Sequence, residues 1–136
     1  FQFFRSGFAI FNPIIFMKYF LICLLFLNAK SSDRFKNFRA LLANSIESND
    51  YESGILLCGS ANGVAITANK HSGIRAAIAW KTELAELARQ HNNANVLSLG
   101  ARFLSEEDAK EAVQIWLETP FADEERHVRR IAAIDQ

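Results

Sequence analysis

Gly54–Cys58 is a short, continuous apolar run, and like the further candidate strands Ile74–Trp80 and Asn95–Leu99 it is followed by a turn and then by residues with helical hydrophobic spacing. A strand that is apolar at nearly every position is buried on both faces, as in a parallel sheet covered by helices. Parallel neighbours need a long crossover, usually a helix, so the alternation predicts an α/β fold with right-handed connections. Helices are expected over Val64–Lys70, over Thr82–Gln90 with Thr82 as N-cap, and from Ser105 to about Glu118. Ser105-Glu-Glu-Asp108 has the spacing of a capping box, and Pro120 ends that helix. A last helix fits Asp123–Ile134, and an earlier one about 33–48, where Phe35, Phe38, Leu41, Leu42 and Ile46 share a face.

Residues 1–30 have another character. Eight of the 12 Phe fall before residue 27, no acidic residue precedes Asp33, and Arg5, Lys18 and Lys30 are the only charges up to residue 30. Met17-Lys18 followed by the apolar run Tyr19–Leu27 resembles a short signal peptide. Phe8–Leu27 approaches the length of a membrane span, but Asn12, Pro13 and Lys18 interrupt it. The Phe start and the Phe, Ile, Leu, Asn and Lys bias equally fit an incomplete or frame-shifted reading of AT-rich DNA. Two regions are therefore expected: an apolar N-terminal segment, 1–30, and one globular domain, 31–136. The whole chain balances 15 basic against 15 acidic residues. That argues against a nucleic-acid binder working by bulk electrostatics. Half the residues are hydrophobic, too many for general disorder, and Cys23 and Cys58 have no metal-ligand spacing.

Candidate chemistry gathers at a few places. Cys58 ends a predicted strand just before the turn Gly59–Gly63 and a helix, at the edge where open α/β sheets collect ligands. Backbone amides and a helix N-terminus there would favour an anion, including a thiolate acting as base or nucleophile. A small buried hydrophobe is the plainer reading of the same cysteine. His91, at a predicted helix C-terminus, reads by itself as a capping histidine. Arg126 and Arg130 are four apart, so they share a helical face suited to a phosphate or simply to solvent. His127 and Arg129 read as surface residues, and His71, in a turn between helix and strand, has no distinctive context.

Taken together the motifs are more specific. Leu57-Cys58-Gly-Ser-Ala-Asn-Gly-Val-Ala-Ile-Thr-Ala-Asn-Lys70, Gly73-Ile-Arg-Ala-Ala77, Ala88-Arg-Gln-His-Asn-Asn-Ala-Asn-Val96, Leu99-Gly-Ala-Arg102 and Arg126-His-Val-Arg-Arg130 occur in this order. This array resembles the B-type ribose-5-phosphate isomerases, a family that includes the galactose-6-phosphate isomerase subunits. The resemblance runs from near Asp33 to near Ile134 and implies a three-layer sandwich with a Rossmann-like parallel sheet. It also implies a metal-free, cofactor-free aldose–ketose isomerisation through a cis-enediolate. Cys58 matches the catalytic base; Val64 stands where some members carry a Glu. Gly59, Ser60, Ala61, Asn62 and Gly63 match the loop whose amides stabilise the enediolate oxygen, with Ser60 at a position that assists the substrate oxygens. His91 matches the histidine that assists furanose opening and Asn92 a substrate contact. Arg126 and Arg130 match the phosphate-binding pair, and Arg102 a supporting arginine.

By the same resemblance the expected partners are a phosphorylated sugar and a second copy of the chain, in a homodimer with shared active sites. Cys58 and His91 would then serve one site from different chains. No nucleic acid is expected, and no membrane unless residues 8–27 are a genuine element; the implied location is cytoplasmic. The expected reaction interconverts ribose 5-phosphate and ribulose 5-phosphate, with a galactose-6-phosphate isomerase subunit or an inactive truncated remnant as alternatives. Two departures stand out. Ala61 occupies a position that is usually Gly, which matters if positive φ is needed there. The Ser-Asp-His-x-Gly strand that opens the family is not found in residues 1–30, so the first strand is expected to be missing or replaced. A missing strand would expose a sheet edge and lower solubility.

Overall fold

The computed structural model describes the backbone of residues 20–24 and the whole of residues 53–134. Four parallel strands form the sheet: β1 (Phe20–Leu24), β2 (Ser53–Cys58), β3 (Ala76–Ala79) and β4 (Val96–Gly100). Their order is β1-β2-β4-β3. Helices α1 (Asn62–Ala68), α2 (Thr82–Asn92) and α3 (Glu106–Glu118) follow β2, β3 and β4, and α4 (Glu125–Ile134) ends the described chain. The α/β class and parallel sheet expected from the alternation are what is observed. The proposed helix over 33–48 lies outside the described residues, as does most of segment 1–30.

Within that segment, Phe20–Leu24 is a strand paired in parallel with β2, Phe20 opposite Ser53 and Leu24 opposite Leu57. Apolar residues from the leader-like run therefore stand where the family's missing strand was sought. They leave β2 flanked on both sides, by β1 and β4. The sheet also crosses the boundary that composition suggested at residue 30.

Topology places the helices. The connection from β2 to β3 passes over the position that β4 later fills, and the connection from β3 to β4 returns. Right-handed crossovers running in opposite directions put α1 and α2 on opposite faces of the sheet. The alternation of side chains along β2 follows suit. Ile55 and Leu57 join Leu97, Leu99, Ala85, Ala112, Val113 and Trp116 beneath α2 and α3. Leu56 points the other way, with Val96, Val64, Ala68 and Ile74 beneath α1. Burying a side chain the size of Leu56 contributes about 1.5–3 kcal/mol, and Leu56 is fully enclosed.

Helix ends follow their capping chemistry more closely than their hydrophobic period. Ser105 is the N-cap of α3, its hydroxyl accepting from the Asp108 amide at 3.1 Å and donating to the Asp108 carboxylate at 2.7 Å. Thr82, expected as an N-cap, is instead the first helical residue, with extended Lys81 capping α2. Helix α1 begins at Asn62, two residues earlier than the apolar pattern indicated, and Gly63 lies in its first turn.

Candidate active site

The strand order creates a crevice. β2 and β4 are neighbours, with Cys58 in register with Gly100, yet the chain leaves β2 towards α1 and β4 towards α3, on opposite faces. Such divergence at the C-terminal edge opens a binding crevice at the switch point of an α/β sheet. The two departing loops are tied by backbone bonds: the Ala101 amide donates to the Cys58 carbonyl at 2.8 Å, and the Arg102 amide to the Gly59 carbonyl at 3.1 Å. Cys58 is half-buried and its thiol is free. Gly59 and Ala61 are buried, whereas Ser60, Asn62, Gly63 and Arg102 are exposed around them.

The sharp turn from β2 into α1 is made at Ala61, with φ 65° and ψ −22°. That is the left-handed region, where a Cβ costs roughly 1–2 kcal/mol, so the concern raised by Ala in place of Gly applies here. Ala61 caps α1 without a side-chain acceptor, so the first-turn amides receive no side-chain cap. The Asn62 amide nitrogen donates back to the Ser60 carbonyl at 3.2 Å and steadies the turn. Gly100 approaches the same turn: a Cβ there would lie 3.5 Å from the Ser60 carbonyl carbon. Trp80 and Phe103, which follow β3 and β4 at this edge, are largely exposed.

The remaining candidates form a second group. Helix α2 starts beside the C-terminal end of β3 and runs back to the N-terminal end of β4. Eleven residues at 1.5 Å per residue carry its end about 16 Å from its start. His91 and Asn92 therefore sit at the edge of the sheet opposite Cys58. There α2 meets α4, and the Ala122 amide donates to the Gln90 carbonyl at 3.1 Å. Arg126 and Arg130 are exposed on α4; Arg126 pairs with Glu124 at 2.7 Å. A cavity of about 730 Å³ runs nearby between the α1–β3 turn, Asn92 and Ile134. One chain thus forms two clusters: Cys58, the 59–63 turn and Arg102 at one edge, and His91, Asn92, Arg126 and Arg130 at the other.

His127 corrects the sequence reading. It is 3% exposed rather than superficial, and its ring stacks on that of His91 with centroids 4.3 Å apart and planes 10° from parallel. Its Nε2 is buried without a hydrogen bond, 3.9 Å from Glu124 Oε2. Burial lowers the His127 pKa, as do His91, Arg126 and Arg130, with Glu124 opposing them. The signal was available, because His127, Ile131 and Ile134 follow the i, i+4, i+7 row of a helix. Among the described residues no His, Cys, Asp or Glu cluster could hold a metal ion, and no helix is long and apolar enough to cross a membrane.

Comparison with known proteins decides the family. The sequence profile described as Ribose/Galactose Isomerase matches residues 22–134. The chain belongs to the Ribose/Galactose Isomerase family. It is 38% identical over 106 residues to ribose-5-phosphate isomerase B of Escherichia coli, covering 76% of this chain and 70% of that protein. The Mycobacterium leprae ribose-5-phosphate isomerase B is 46% identical over 78 residues, 57% of this chain, which spans about half (48%) of that relative. Among solved structures, a Thermotoga maritima ribose 5-phosphate isomerase superposes with a TM-score of 0.72 at 42% identity. That match covers 81% of this chain and 75% of the other. Ribose-5-phosphate isomerase B from Mycoplasma genitalium, solved with bound ribulose 5-phosphate, gives 0.69 at 38% identity, over 82% and 74% of the two chains. The parallel sheet described above is the family's fold.

Proposed function

We propose that this isomerase-family chain interconverts ribose 5-phosphate and ribulose 5-phosphate in the cytoplasm, as a homodimer with two shared active sites. The observation that carries the reading is the position of Cys58 at the C-terminal end of β2, where the chain diverges from β4, beside a turn rich in backbone amides. In the open-chain aldose the Cys58 thiolate removes the C2 proton, giving a cis-enediolate. Return of a proton to C1 yields the ketose, so no atom is gained or lost. Negative charge grows on the substrate oxygen during the first step. In this reading the amides from Gly59 to Gly63, with Ser60, stabilise it, and such preorganised donors are usually the largest catalytic contribution.

A second copy supplies the rest of the site. His91 serves as the acid and base that opens the furanose, and Asn92 binds the sugar. Arg126 and Arg130 hold the phosphate, for which a guanidinium offers planar, multi-donor contacts. Arg102 supports the substrate from the Cys58 side. Because Cys58 and His91 lie at opposite edges of one sheet, a single chain would hold two incomplete halves.

Turnover of ribose 5-phosphate by the purified chain tests the reaction. Cys58→Ala should lower kcat about 10²–10⁴-fold, the usual worth of a positioned base, with the thermal midpoint unchanged. A mixing experiment tests the sharing. Cys58→Ala and His91→Ala chains, each inactive alone, should regain roughly a quarter of wild-type activity after random re-pairing, because half the dimers then carry one intact site. No recovery on mixing would exclude the shared arrangement.

A further inference from the structure

We propose that Arg75 is a positioning residue for His91 and Asn92, acting from the sheet on the helix end that carries them. The inference rests on the functional reading above and goes beyond it, since Arg75 belongs to neither cluster of site residues.

The last carbonyls of a helix have no intrahelical partner, and helix ends fray unless something holds them. His91 and Asn92 are the final two residues of α2, so the proposed ring-opening group stands at a helix end that needs an outside hold. Arg75 Nε donates to the carbonyls of both Asn92 and Asn93, each at 3.2 Å. Arg75 is itself anchored. Its amide donates to Asn95 Oδ1 at 2.8 Å, its carbonyl accepts from the Val96 amide at 3.2 Å, and Asn95 Nδ2 donates to the Gly73 carbonyl at 2.8 Å. The Arg75 backbone is thus fixed to the start of β4, and its guanidinium ties the end of α2 to it.

A second guanidinium lies close by. Arg89 Nη1 donates to the Ala94 carbonyl at 2.7 Å and to Asn93 Oδ1 at 3.1 Å, after Asn93 ends the helix in the left-handed conformation. Arg89 also lies over the Trp116 ring at 5.7 Å, so it is held from the core side. Gathering two like charges at one helix end is unfavourable; burial first, and Arg75 second, lower the Arg89 pKa. A cap needed only to end the helix could have stopped at Arg89. Arg75 adds a hold on the carbonyls of Asn92 and Asn93, the one and two residues after His91, whose ring also stacks on His127. Small misplacements of a reacting group, on the order of 1 Å, can cost about 100-fold in rate.

The test uses the full chain and separates ring opening from proton transfer. Ribose 5-phosphate must be opened before it reacts. Exchange of the C1 proton of ribulose 5-phosphate with solvent deuterium, followed by NMR at saturating ketose, uses Cys58, the 59–63 amides and the phosphate site but needs no ring opening. Arg75→Met should lower kcat for ribose 5-phosphate by ~10-fold or more, leave C1 exchange within a few-fold of wild type, and retain cooperative melting. Arg75→Lys, which restores a donor and the charge, should recover part of the loss. If Met does not fold, Arg75→Gln is read in the same way. Equal loss of turnover and exchange, or no loss of either, would overturn the assignment. Absence of both activities in the wild-type chain would instead remove the functional reading, and this inference with it.

Discussion

The two edges of the sheet are built from different materials. At the Cys58 edge the groups proposed to act are mostly backbone: amides of a turn forced through a left-handed residue, close to Gly100 and bonded to the Ala101–Arg102 segment. At the His91 edge they are side chains on helix ends, kept in place by a ring stack and guanidinium caps. A backbone site depends on the sheet that sets strand register. A side-chain site depends on local contacts and on charge, so acid and single substitutions should reach it first.

The largest change should come from the core that both edges share. Leu97, fully buried on β4, should cost about 2–5 kcal/mol when cut to Ala. Chemical denaturation would measure it, and both halves of the chemistry should weaken together. Loss confined to one edge would mean the edges are less coupled than the common strand implies.

Next, Arg130→Ala should act at one edge only. A lost hydrogen bond to a charged group is worth about 1.5–3 kcal/mol, so KM for a sugar phosphate should rise roughly 10- to 100-fold. The exposed position of Arg130 means that the melting temperature should hardly move. An unchanged KM would remove Arg130 from the phosphate site.

A subtler difference concerns pH. Burial, His91, Arg126 and Arg130 lower the His127 pKa below its ordinary value of 6.5, with Glu124 opposing. The unfolded chain then takes up a proton more readily than the folded one as pH falls. This contribution to stability is complete above the ordinary value and is lost on acidification through and below it. Melting curves from pH 7.5 to 5 should fall with acid, and His127→Gln should flatten that fall. A variant that keeps the wild-type slope would place the titration elsewhere.

The smallest effect belongs to the backbone edge. Ala61→Gly relieves a left-handed Cβ worth roughly 1–2 kcal/mol. It also gives up a buried methyl worth about 0.8 kcal/mol and adds the entropy cost of glycine, about 0.5–1 kcal/mol. The net change in stability should stay within about 1 kcal/mol, read by denaturation. A much larger gain would show that the turn is more strained than its φ implies.

How much of this was legible before the fold was known differs from element to element. The run ending at Cys58 read as a buried strand because it is apolar throughout. Ser105 marked the start of α3 through local chemistry that needs no tertiary context. Phe20–Leu24 was another matter: a short apolar run has the same composition in a leader as in an enclosed strand, and only pairing with β2 distinguishes them. His127 was missed because its charged neighbours outweighed its place in an apolar helical row. Arg75 carried no sign of its partners, which lie 17 and 18 residues away.

The sequence by itself determined the alternation of strand and helix, the parallel class, and the residue types able to move a proton and bind a phosphate, because each is a local matter of periodicity and functional groups. Only the tertiary structure decided that β4 inserts between β2 and β3, so that the chain diverges beside Cys58 where β2 and β4 end. Strand order depends on which faces can be buried together, and that is settled by long-range packing of the whole sheet.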